Sequence, residues 1–158
     1  MSSAPPFAAI LRAPFGALGV RVSTNHLVAL EFLAPGTPLS APTSPLLERV
    51  AEQLAAYYAD PRHRFDLPIE ARGSEFRRRV WQALLDLPVG HTTTYGELAR
   101  HLGSSARAVG QALGDNPLPI VIPCHRVLAA HGLGGFNHAG GGFSLDVKRW
   151  LLRHEGVL

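Results

Sequence analysis

The sequence holds one cysteine and one methionine in 158 residues. A lone cysteine excludes an internal disulfide and a zinc site made of several cysteines, and it favours a reducing compartment inside the cell. No apolar run approaches the roughly 20 residues of a membrane span, and the N-terminal residues lack the basic and then apolar layout of a signal peptide. We expect a cytoplasmic protein, and a monomer that needs no metal or other cofactor.

Charged residues are few and unevenly placed. They make up 17% of the chain, with a formal net charge of +3, while 46% of the residues are apolar. That composition can bury a core, in one domain or in two small ones. Arginines cluster at 77–79 and recur toward the C-terminus, whereas the first seventy residues are nearly balanced in charge. A basic second half is compatible with nucleic acid as the partner, although a solvated helix face explains an arginine run equally well.

Residues 1–72 are predicted to form a structural lobe of strands and one helix. Apolar runs at 7–13, 16–23 and 26–34 are separated by turn residues, which predicts an antiparallel meander. Ser44 and Pro45 then have the pattern of a helix start, and Asp60-Pro61 marks the end of that helix. Its apolar residues recur at Leu46, Val50, Leu54 and Tyr57. The lobe's sequence contains no recognisable catalytic constellation.

Residues 73–158 are predicted to form a second, mostly helical domain, which makes the fold class α+β. Ser74 caps a helix that ends at Pro88. The apolar residues of this helix are Phe76, Val80, Trp81, Leu84 and Leu87. A last helix spans about 144–155, with Val147, Trp150 and Leu151 on its buried side.

Between these helices the sequence predicts a helix-turn-helix. Thr94 and Glu97 have the spacing of a capping box, which predicts a helix over 95–102 that ends at Gly103. Ser104 then caps a second helix over 105–113. Two short helices joined by a turn with glycine match the helix-turn-helix outline, which ordinary helical hairpins share.

The second helix of this pair is built from small residues. Ala106, Ala108 and Gly110 are tiny, and the long polar side chains are those of Arg107 and Gln111. Base reading in the major groove normally takes several long polar side chains. This helix instead indicates close approach of its backbone to the narrow minor groove, and we expect these five residues to contact DNA. The alternative is that the small residues pack one helix against another.

The cysteine stands in the segment 122–127, Ile-Pro-Cys-His-Arg-Val. A thiol becomes a nucleophile when a neighbouring cation or base helps to remove its proton, and His125 and Arg126 stand directly beside Cys124. Neighbouring prolines predict an irregular backbone with few amide donors. Because adjacent residues on a strand point to opposite faces, a water or a kinked backbone has to couple Cys124 to His125. A lone cysteine is more often an inert buried residue, but this setting makes Cys124 a candidate nucleophile.

Six glycines follow in residues 132–142, together with Phe136, Asn137 and His138. Their spacing does not match a dinucleotide-binding or phosphate-binding fingerprint. We expect a flexible loop near a pocket, with Phe136 as a stacking wall, and a plain solvent loop is the alternative.

From residue 76 to residue 156 the sequence resembles the O6-alkylguanine-DNA alkyltransferases, also called methylated-DNA–protein-cysteine methyltransferases. The matching motifs are, in chain order, Val80-Trp81, Tyr95-Gly96-Glu97-Leu98-Ala99, Arg107-Ala108-Val109-Gly110, Asn116-Pro117, Pro123-Cys124-His125-Arg126-Val127 and Lys148-Arg149-Trp150-Leu151-Leu152 followed by Glu155-Gly156. The N-terminal third is similar to the family only in its layout of a small sheet and a helix.

This resemblance implies DNA repair by a protein that is consumed in one turnover. The Cys124 thiolate would take the alkyl group from the 6-oxygen of a damaged guanine in double-stranded DNA, with 4-O-alkylthymine as a further substrate to consider. His125, through a water, would be its base, and Glu155 would orient that histidine. Tyr95 would contact the extruded base and assist its departure as the leaving group. We also expect Tyr95 and Arg126 to contact the DNA.

The resemblance implies roles for five further positions. Arg107 would occupy the gap that the extruded base leaves in the duplex. Asn116 would be the hinge residue that braces the helix-turn-helix against the cysteine segment. Pro119 and Phe136 would be pocket walls, and the Val127 backbone would meet the edge of the base.

The chain also departs from the family pattern, and other functions compete with this one. The turn at 103–106 is shorter than in many members, and the glycine loop is longer, with an insert around 138–146. One rival is a non-catalytic protein that binds alkylated DNA, in which the cysteine is replaced. A second is a Cys-His hydrolase, for which the adjacency of His125 to Cys124 is unusual. A third is a sequence-specific regulator, which the small residues of the second helix disfavour.

Overall fold

The first strands form an antiparallel sheet, as the sequence predicts. The computed structural model describes residues 6–136 and 143–158, and its sheet consists of β1 (Ala9–Ala13), β2 (Gly16–Val22) and β3 (Leu27–Leu33) in the order β1-β2-β3. The register pairs Leu11 with Leu18 and Leu18 with Phe32, and it shifts at Arg21/Val22. Leu18 and Val20 are fully buried, so one face of the central strand belongs to the core of this region.

Helix α1 (Pro45–Ala59) follows, with the predicted start and end. The Ser44 hydroxyl accepts a hydrogen bond from the Leu47 amide at 3.2 Å, and Asp60 caps the other end. Leu47, rather than the expected Leu46, is buried with Val50, Leu54 and Tyr57. The apolar stripe therefore starts one residue later than predicted, which is the better match to a period of 3.6 residues.

The chain divides into two units, Met1–Glu70 and Ala71–Leu158, and the second contains the cysteine. This second unit begins with α2 (Glu75–Leu85), whose Ser74 cap accepts a hydrogen bond from the Arg77 amide. The helix ends at Leu85 rather than at Pro88, and Asp86 is its C-terminal cap. Its buried Trp81 donates from Nε1 to the Ala112 carbonyl at 2.8 Å and so joins α2 to a later helix.

The two short helices of the predicted helix-turn-helix are α3 (Tyr95–Leu102) and α4 (Ala106–Gly114). The Thr94 hydroxyl caps α3 by accepting from the Glu97 amide at 3.1 Å, and Gly103 ends it with a φ of 65°. Such left-handed backbone favours glycine. Helix α4 begins one residue later than predicted, because Ser105 rather than Ser104 provides its capping oxygen.

A short parallel pairing joins the helix-turn-helix to the cysteine segment, and the sequence analysis did not predict it. Strand β4 (Thr93–Thr94) pairs with β5 (Val127–Leu128), in the register Thr93 to Val127 and Thr94 to Leu128. Residues Cys124–Arg126 form a single 3₁₀ turn immediately before β5. Tyr95, the first residue of α3, therefore follows a strand that is hydrogen-bonded to the end of the cysteine segment.

The chain ends with α5 (Phe143–His154), as predicted within one residue. Its buried residues are Leu145, Val147, Lys148, Leu151 and Leu152. Trp150, expected on the buried side, is half-buried and stacks on His154 with the ring centroids 4.7 Å apart. Of the glycine loop 132–142, residues 137–142 with Asn137 and His138 lie outside the described residues. Within residues 6–136 and 143–158, no helix has the length and apolar character needed to cross a membrane.

Candidate active site

Cys124 lies at the start of the 3₁₀ turn and retains only 6% of its exposed surface. Its amide donates to the Ile122 carbonyl at 2.8 Å, and its own carbonyl accepts from the Val127 amide. Burial raises the pKa of the thiol to about 11, although a hydrogen bond from Asn116 and the positive charge of Lys148 act in the opposite direction. The thiol is therefore protonated at neutral pH, and a nucleophilic sulfur needs a group that accepts its proton.

His125, the next residue in the chain, is the candidate for that group, and it is completely buried. Its Nε2 lies 2.7 Å from Oε2 of Glu155, whose side chain is also inaccessible to solvent. An ionised carboxylate only accepts hydrogen bonds, so Nε2 carries the proton and Nδ1 has the free lone pair. Nδ1 has no hydrogen-bond partner among the described residues. This tautomer is the one that a general base needs.

Glu155 is held by a second partner, Arg126. The Arg126 guanidinium donates from Nε to Oε1 at 2.8 Å and from Nη2 to Oε2 at 3.1 Å, while its Nη1 donates to the Leu87 carbonyl at 2.7 Å. The paired guanidinium balances the charge of the carboxylate, so His125 does not have to be protonated for that purpose. Burial lowers the pKa of His125 and outweighs the opposite effect of Glu155. The histidine is thus neutral at pH 7.

In the structure, Arg126 makes its hydrogen bonds within the protein. All three guanidinium nitrogens donate to Glu155 or Leu87, and 12% of the side chain is exposed. We expected this residue to contact DNA. The contact with DNA stays a prediction. The geometry itself makes Arg126 a positioning residue for Glu155.

Tyr95 is close enough to Cys124 for the charge of the sulfur to affect its pKa. Its hydroxyl donates to the Gly135 carbonyl at 3.2 Å, and both burial and the neighbouring Cys124 raise its pKa. The phenol therefore keeps its proton and can donate it. Gly134 allows this arrangement, because its φ is +75° and a Cβ there would lie 2.9 Å from the Tyr95 hydroxyl oxygen.

Asn116 braces the segment that leads from α4 to the cysteine. Its Nδ2 donates to the Ile122 carbonyl at 2.9 Å, and its Oδ1 accepts from the Leu118 amide at 2.9 Å. Between these two bonds Ile120 has a φ of 76°, a left-handed conformation that β-branched residues rarely adopt. Such backbone strain persists only where the surrounding structure enforces it, and it is often found at functional sites.

The remaining expected pocket residues are buried in the same unit. Pro119 is buried, Val127 is fully buried, and Phe136 is 4% exposed. The Val127 backbone was expected to meet the base edge, and its carbonyl accepts a hydrogen bond from Lys148. A carbonyl oxygen has two lone pairs, so this bond leaves room for one more donor.

Helix α4 presents the expected DNA-contacting residues on its outer side. Ala106, Arg107 and Gln111 are exposed, and Ala108 and Gly110 are half-buried. The opposite side packs inward through Val109, Ala112 and Leu113. A Cβ added at Gly110 would meet no atom within 4 Å, so the space in front of this glycine is open. The small residues of α4 therefore do not all serve internal packing.

Lys148 on α5 also belongs to the site, although the sequence analysis named it only as part of a motif and gave it no role. Its side chain is fully buried, and Nζ donates to the Val127 carbonyl at 2.8 Å and to the Gly135 carbonyl at 2.9 Å. Burial lowers its pKa to about 8, while Cys124 acts to raise it. A signal for this residue exists in the sequence, because Lys148 is its only lysine.

The described side chains do not form a metal centre. Within residues 6–136 and 143–158, no group of three or more His, Cys, Asp or Glu side chains could hold a metal ion. The arrangement around Cys124 is instead that of a thiol, a neutral base and a phenol that can donate a proton.

Comparison with known proteins identifies relatives along most of the chain. A protein-family model described as 6-O-methylguanine DNA methyltransferase, DNA binding domain, matches residues 75–157. The chain is 52% identical over 107 residues to a methylated-DNA–protein-cysteine methyltransferase of Mycolicibacterium paratuberculosis, a match that covers 66% of this chain and 62% of that relative. It is 35% identical to the protein of the same name from Methanosarcina acetivorans, over 94% of this chain and 97% of the relative.

Solved structures extend the similarity to the whole fold. The crystal structure of Mycobacterium tuberculosis OGT in complex with DNA superposes with a TM-score of 0.76 at 37% identity, covering 92% of this chain and 90% of that one. An O6-methylguanine DNA methyltransferase from Methanococcus jannaschii superposes with a TM-score of 0.69 at 30% identity, covering 94% and 93%. Both matches include the N-terminal sheet and α1, for which the sequence showed only a similar layout.

Proposed function

Since this chain belongs to the 6-O-methylguanine DNA methyltransferase family and acts in DNA repair as a methylated-DNA–protein-cysteine methyltransferase, we propose that Cys124 is the alkyl acceptor and that each molecule reacts once. Cys124 is the only cysteine of the chain. Its neighbours suit an alkyl acceptor. The Nδ1 atom of His125 has no hydrogen-bond partner within residues 6–136 and 143–158, and Tyr95 is a phenol that could protonate the leaving group.

The reaction is an in-line displacement at the alkyl carbon. The Cys124 sulfur forms a bond to that carbon while the bond from the carbon to the 6-oxygen of guanine breaks, and the electron pair of the broken bond stays with the guanine. The thiol proton passes to Nδ1 of His125 through a water. The departing guanine takes up a proton from the Tyr95 hydroxyl, which gives up its hydrogen bond to Gly135 to do so. The imidazolium then loses its proton to solvent and the phenolate regains one from solvent, so both groups return to their starting state. The product thioether is stable, so no step in the site regenerates the thiol.

Burial of the thiol determines how the base has to work. Because the pKa of Cys124 is raised to about 11, the thiolate is rare at neutral pH and forms when His125 accepts its proton. Glu155 stabilises the imidazolium that results, as the carboxylate does in other nucleophile-base-orienter systems. Arg126 in turn keeps Glu155 in place, through two hydrogen bonds of 2.8 and 3.1 Å.

A guanine inside the stack cannot reach a buried sulfur, so the damaged base has to leave the duplex. Extrusion costs a few kcal/mol, and less where a lesion already weakens pairing. Arg107, exposed on α4, would fill the gap, and the open face at Gly110 would let the helix approach the minor groove. Binding by phosphate contacts offsets the cost and is insensitive to sequence, which suits a protein that inspects any site.

We propose double-stranded DNA carrying 6-O-alkylguanine as the substrate, with the protein acting as a monomer in the cytoplasm. The observation that carries the proposal is the buried chain of hydrogen bonds from Arg126 through Glu155 to His125, next to the only thiol. A cysteine with a purely structural role would not require a neutral histidine beside it whose Nδ1 lone pair can accept a proton.

The test is mass spectrometry of the protein after incubation with a duplex that contains one 6-O-methylguanine. The expected result is one methyl group on the peptide that contains Cys124, with the lesion converted to guanine and no second turnover. Cys124→Ala should keep its mass and leave the lesion intact. An unchanged mass of the wild type with tight lesion binding would identify a non-catalytic binding protein, and repeated turnover of an ester would identify a hydrolase.

A further inference from the structure

Two side chains of α2 contact the C-terminal end of α4. Arg77 and Trp81 are four residues apart, so they lie on the same side of α2. The Trp81 indole donates to the Ala112 carbonyl at 2.8 Å, and Nη2 of Arg77 lies 2.7 Å from Oδ2 of Asp115. These contacts are at the end of α4 that is remote from Arg107, the residue expected to enter the duplex.

The backbone at Gly73 leaves room for both of these α2 side chains. A Cβ at Gly73 would lie 2.6 Å from Cη2 of Trp81 and 3.4 Å from Cδ of Arg77. The stem of Arg77 is therefore supported by the chain that leads into α2, although 45% of the side chain is exposed. The guanidinium thus reaches Asp115 from a stem that is held in place.

The carboxylate of Asp115 lies where a helix disfavours negative charge. Asp115 is the C-terminal cap of α4, and the partial negative charge at this end of a helix favours a cation instead. The Arg77 guanidinium compensates both negative charges. Because 45% and 29% of the two side chains are exposed, water screens the pair and it stabilises the fold only weakly. We therefore look for its effect in the placement of α4.

The residue after Asp115 connects α4 to the reactive cysteine. Nδ2 of Asn116 donates to the Ile122 carbonyl at 2.9 Å, and the same carbonyl accepts from the Cys124 amide at 2.8 Å. The ion pair is thus one residue away from the hydrogen bond that braces the cysteine turn. Loss of the ion pair would leave this brace intact and would allow α4 to tilt about it.

Building on the function proposed above, we propose that Arg77 and Asp115 are positioning residues for methyl transfer from DNA. Their ion pair fixes the end of α4 on α2, so that a duplex engaged by Arg107 presents its extruded base to Cys124 in one orientation. An in-line displacement needs aligned atoms roughly 3–3.5 Å apart, and small misplacements slow it strongly. Transfer from a free base does not engage α4 and does not depend on the pair.

Two variants with opposite changes of charge separate this role from simple attraction of DNA. Arg77→Gln removes a positive charge and Asp115→Asn removes a negative one, so attraction of the polyanion would weaken in the first and strengthen in the second. We expect both variants to transfer methyl roughly tenfold more slowly than the wild type. The measurement is the single-turnover rate on a duplex with one 6-O-methylguanine, with saturating protein. Transfer from the free base 6-O-methylguanine should keep its wild-type rate.

The matched control is Arg149→Gln on α5. Arg149 also forms a partly exposed ion pair, with Asp146 at 3.3 Å, and its removal changes the net charge as Arg77→Gln does. This pair does not hold α4, so both rates should remain as in the wild type.

The double variant Arg77→Gln/Asp115→Asn tests the pair itself, because its net charge equals that of the wild type. Either single change already breaks the pair, so the double variant should be no slower on duplex than the slower single variant. Losses that multiply would show that the two residues act independently, and they would overturn the proposal.

Three further results would also overturn it. They are opposite effects of the two single variants on the duplex rate, equal losses on duplex and free base, and wild-type duplex rates in both single variants. The single variants alter different residues, so if one fails to fold, the other still tests the proposal. The function proposed above is tested separately, since it fails only if wild-type Cys124 gains no methyl group.

Discussion

The protonation state of His125 depends on how the charge of one carboxylate is shared. Glu155 contacts both His125 and Arg126, and the guanidinium makes two hydrogen bonds to it while the imidazole makes one. With its charge balanced by Arg126, Glu155 can hold a neutral imidazole. Without the guanidinium, the same carboxylate would favour an imidazolium, which cannot accept a proton from the thiol.

The first prediction follows for Arg126→Gln. Removal of the guanidinium raises the pKa of His125, because the full charge of Glu155 then acts on the imidazole. We expect the pH below which methyl transfer slows to rise by at least one unit, measured as single-turnover rates on damaged duplex. A rate that drops by one constant factor at all pH values, with an unchanged profile, would show that Arg126 serves packing alone.

The second prediction concerns stability and the buried histidine. Because burial lowers the pKa of His125 below its ordinary value, the unfolded chain takes up a proton near pH 6.5 that the folded protein does not bind. The free energy of unfolding therefore falls as pH drops below about 6.5. Urea unfolding at a series of pH values should show this decrease, and His125→Asn should flatten it. Substitution of the exposed His26 by Gln is the matched control, and an equal flattening there would refute the assignment.

The roles of single residues could be predicted from the sequence where the chemistry depends on residues that are adjacent in the chain. Cys124, His125 and Arg126 are adjacent, so a reactive thiol could be proposed from their spacing. The partner of Arg126 could not be predicted from the neighbouring sequence, because Glu155 is 29 residues away in the chain. No place at the site was predicted for Lys148 for the same reason, since its acceptors Val127 and Gly135 come from other segments.

Among the helices and strands, ends were predictable where a capping residue marks them. Four predicted caps are confirmed, those at Ser44, Ser74, Thr94 and Gly103. The start of α4 shifted by one residue because two serines in a row offer the same capping oxygen, and the fold uses Ser105. The pairing of β4 with β5 had no local signal, because two strands of two residues each are too short for a hydrophobic period.

The third prediction concerns the outer face of α4. Gly110→Ala should raise the free energy of unfolding by about 0.5–1 kcal/mol, because alanine is the better helix former and its Cβ would meet no atom within 4 Å. The same methyl group should weaken binding of undamaged duplex by about tenfold, since it stands where we expect the DNA backbone to come close.

Two measurements separate these effects. Thermal or urea unfolding reports the change in the free protein, and titration with a fluorescent duplex reports the change in affinity. Transfer from the free base 6-O-methylguanine, which needs no duplex, should remain as in the wild type. An unchanged duplex affinity would show that α4 does not approach the DNA at this position.

For the whole molecule, the distribution of charge indicates which part binds the polyanion. Residues 71–158 contain ten Arg and Lys against six Asp and Glu, whereas residues 1–70 contain five against six. The net positive charge thus belongs entirely to the unit that contains α3, α4 and Cys124. Some of these cationic side chains form ion pairs within the protein, since Arg77 pairs with Asp115 and Arg126 with Glu155.

The fourth prediction tests this distribution through the salt dependence of binding. Each phosphate that a cationic side chain neutralises releases counterions, so the logarithm of the binding constant falls linearly with the logarithm of salt concentration, by about 0.9 per contact. Arg107→Ala should make this slope shallower by about one for undamaged duplex. Arg62→Ala removes the same charge from the N-terminal unit, where the side chain is 81% exposed, and should leave the slope unchanged. Because the two variants have identical net charge, equal slopes would mean that overall charge rather than the helix-turn-helix attracts the DNA.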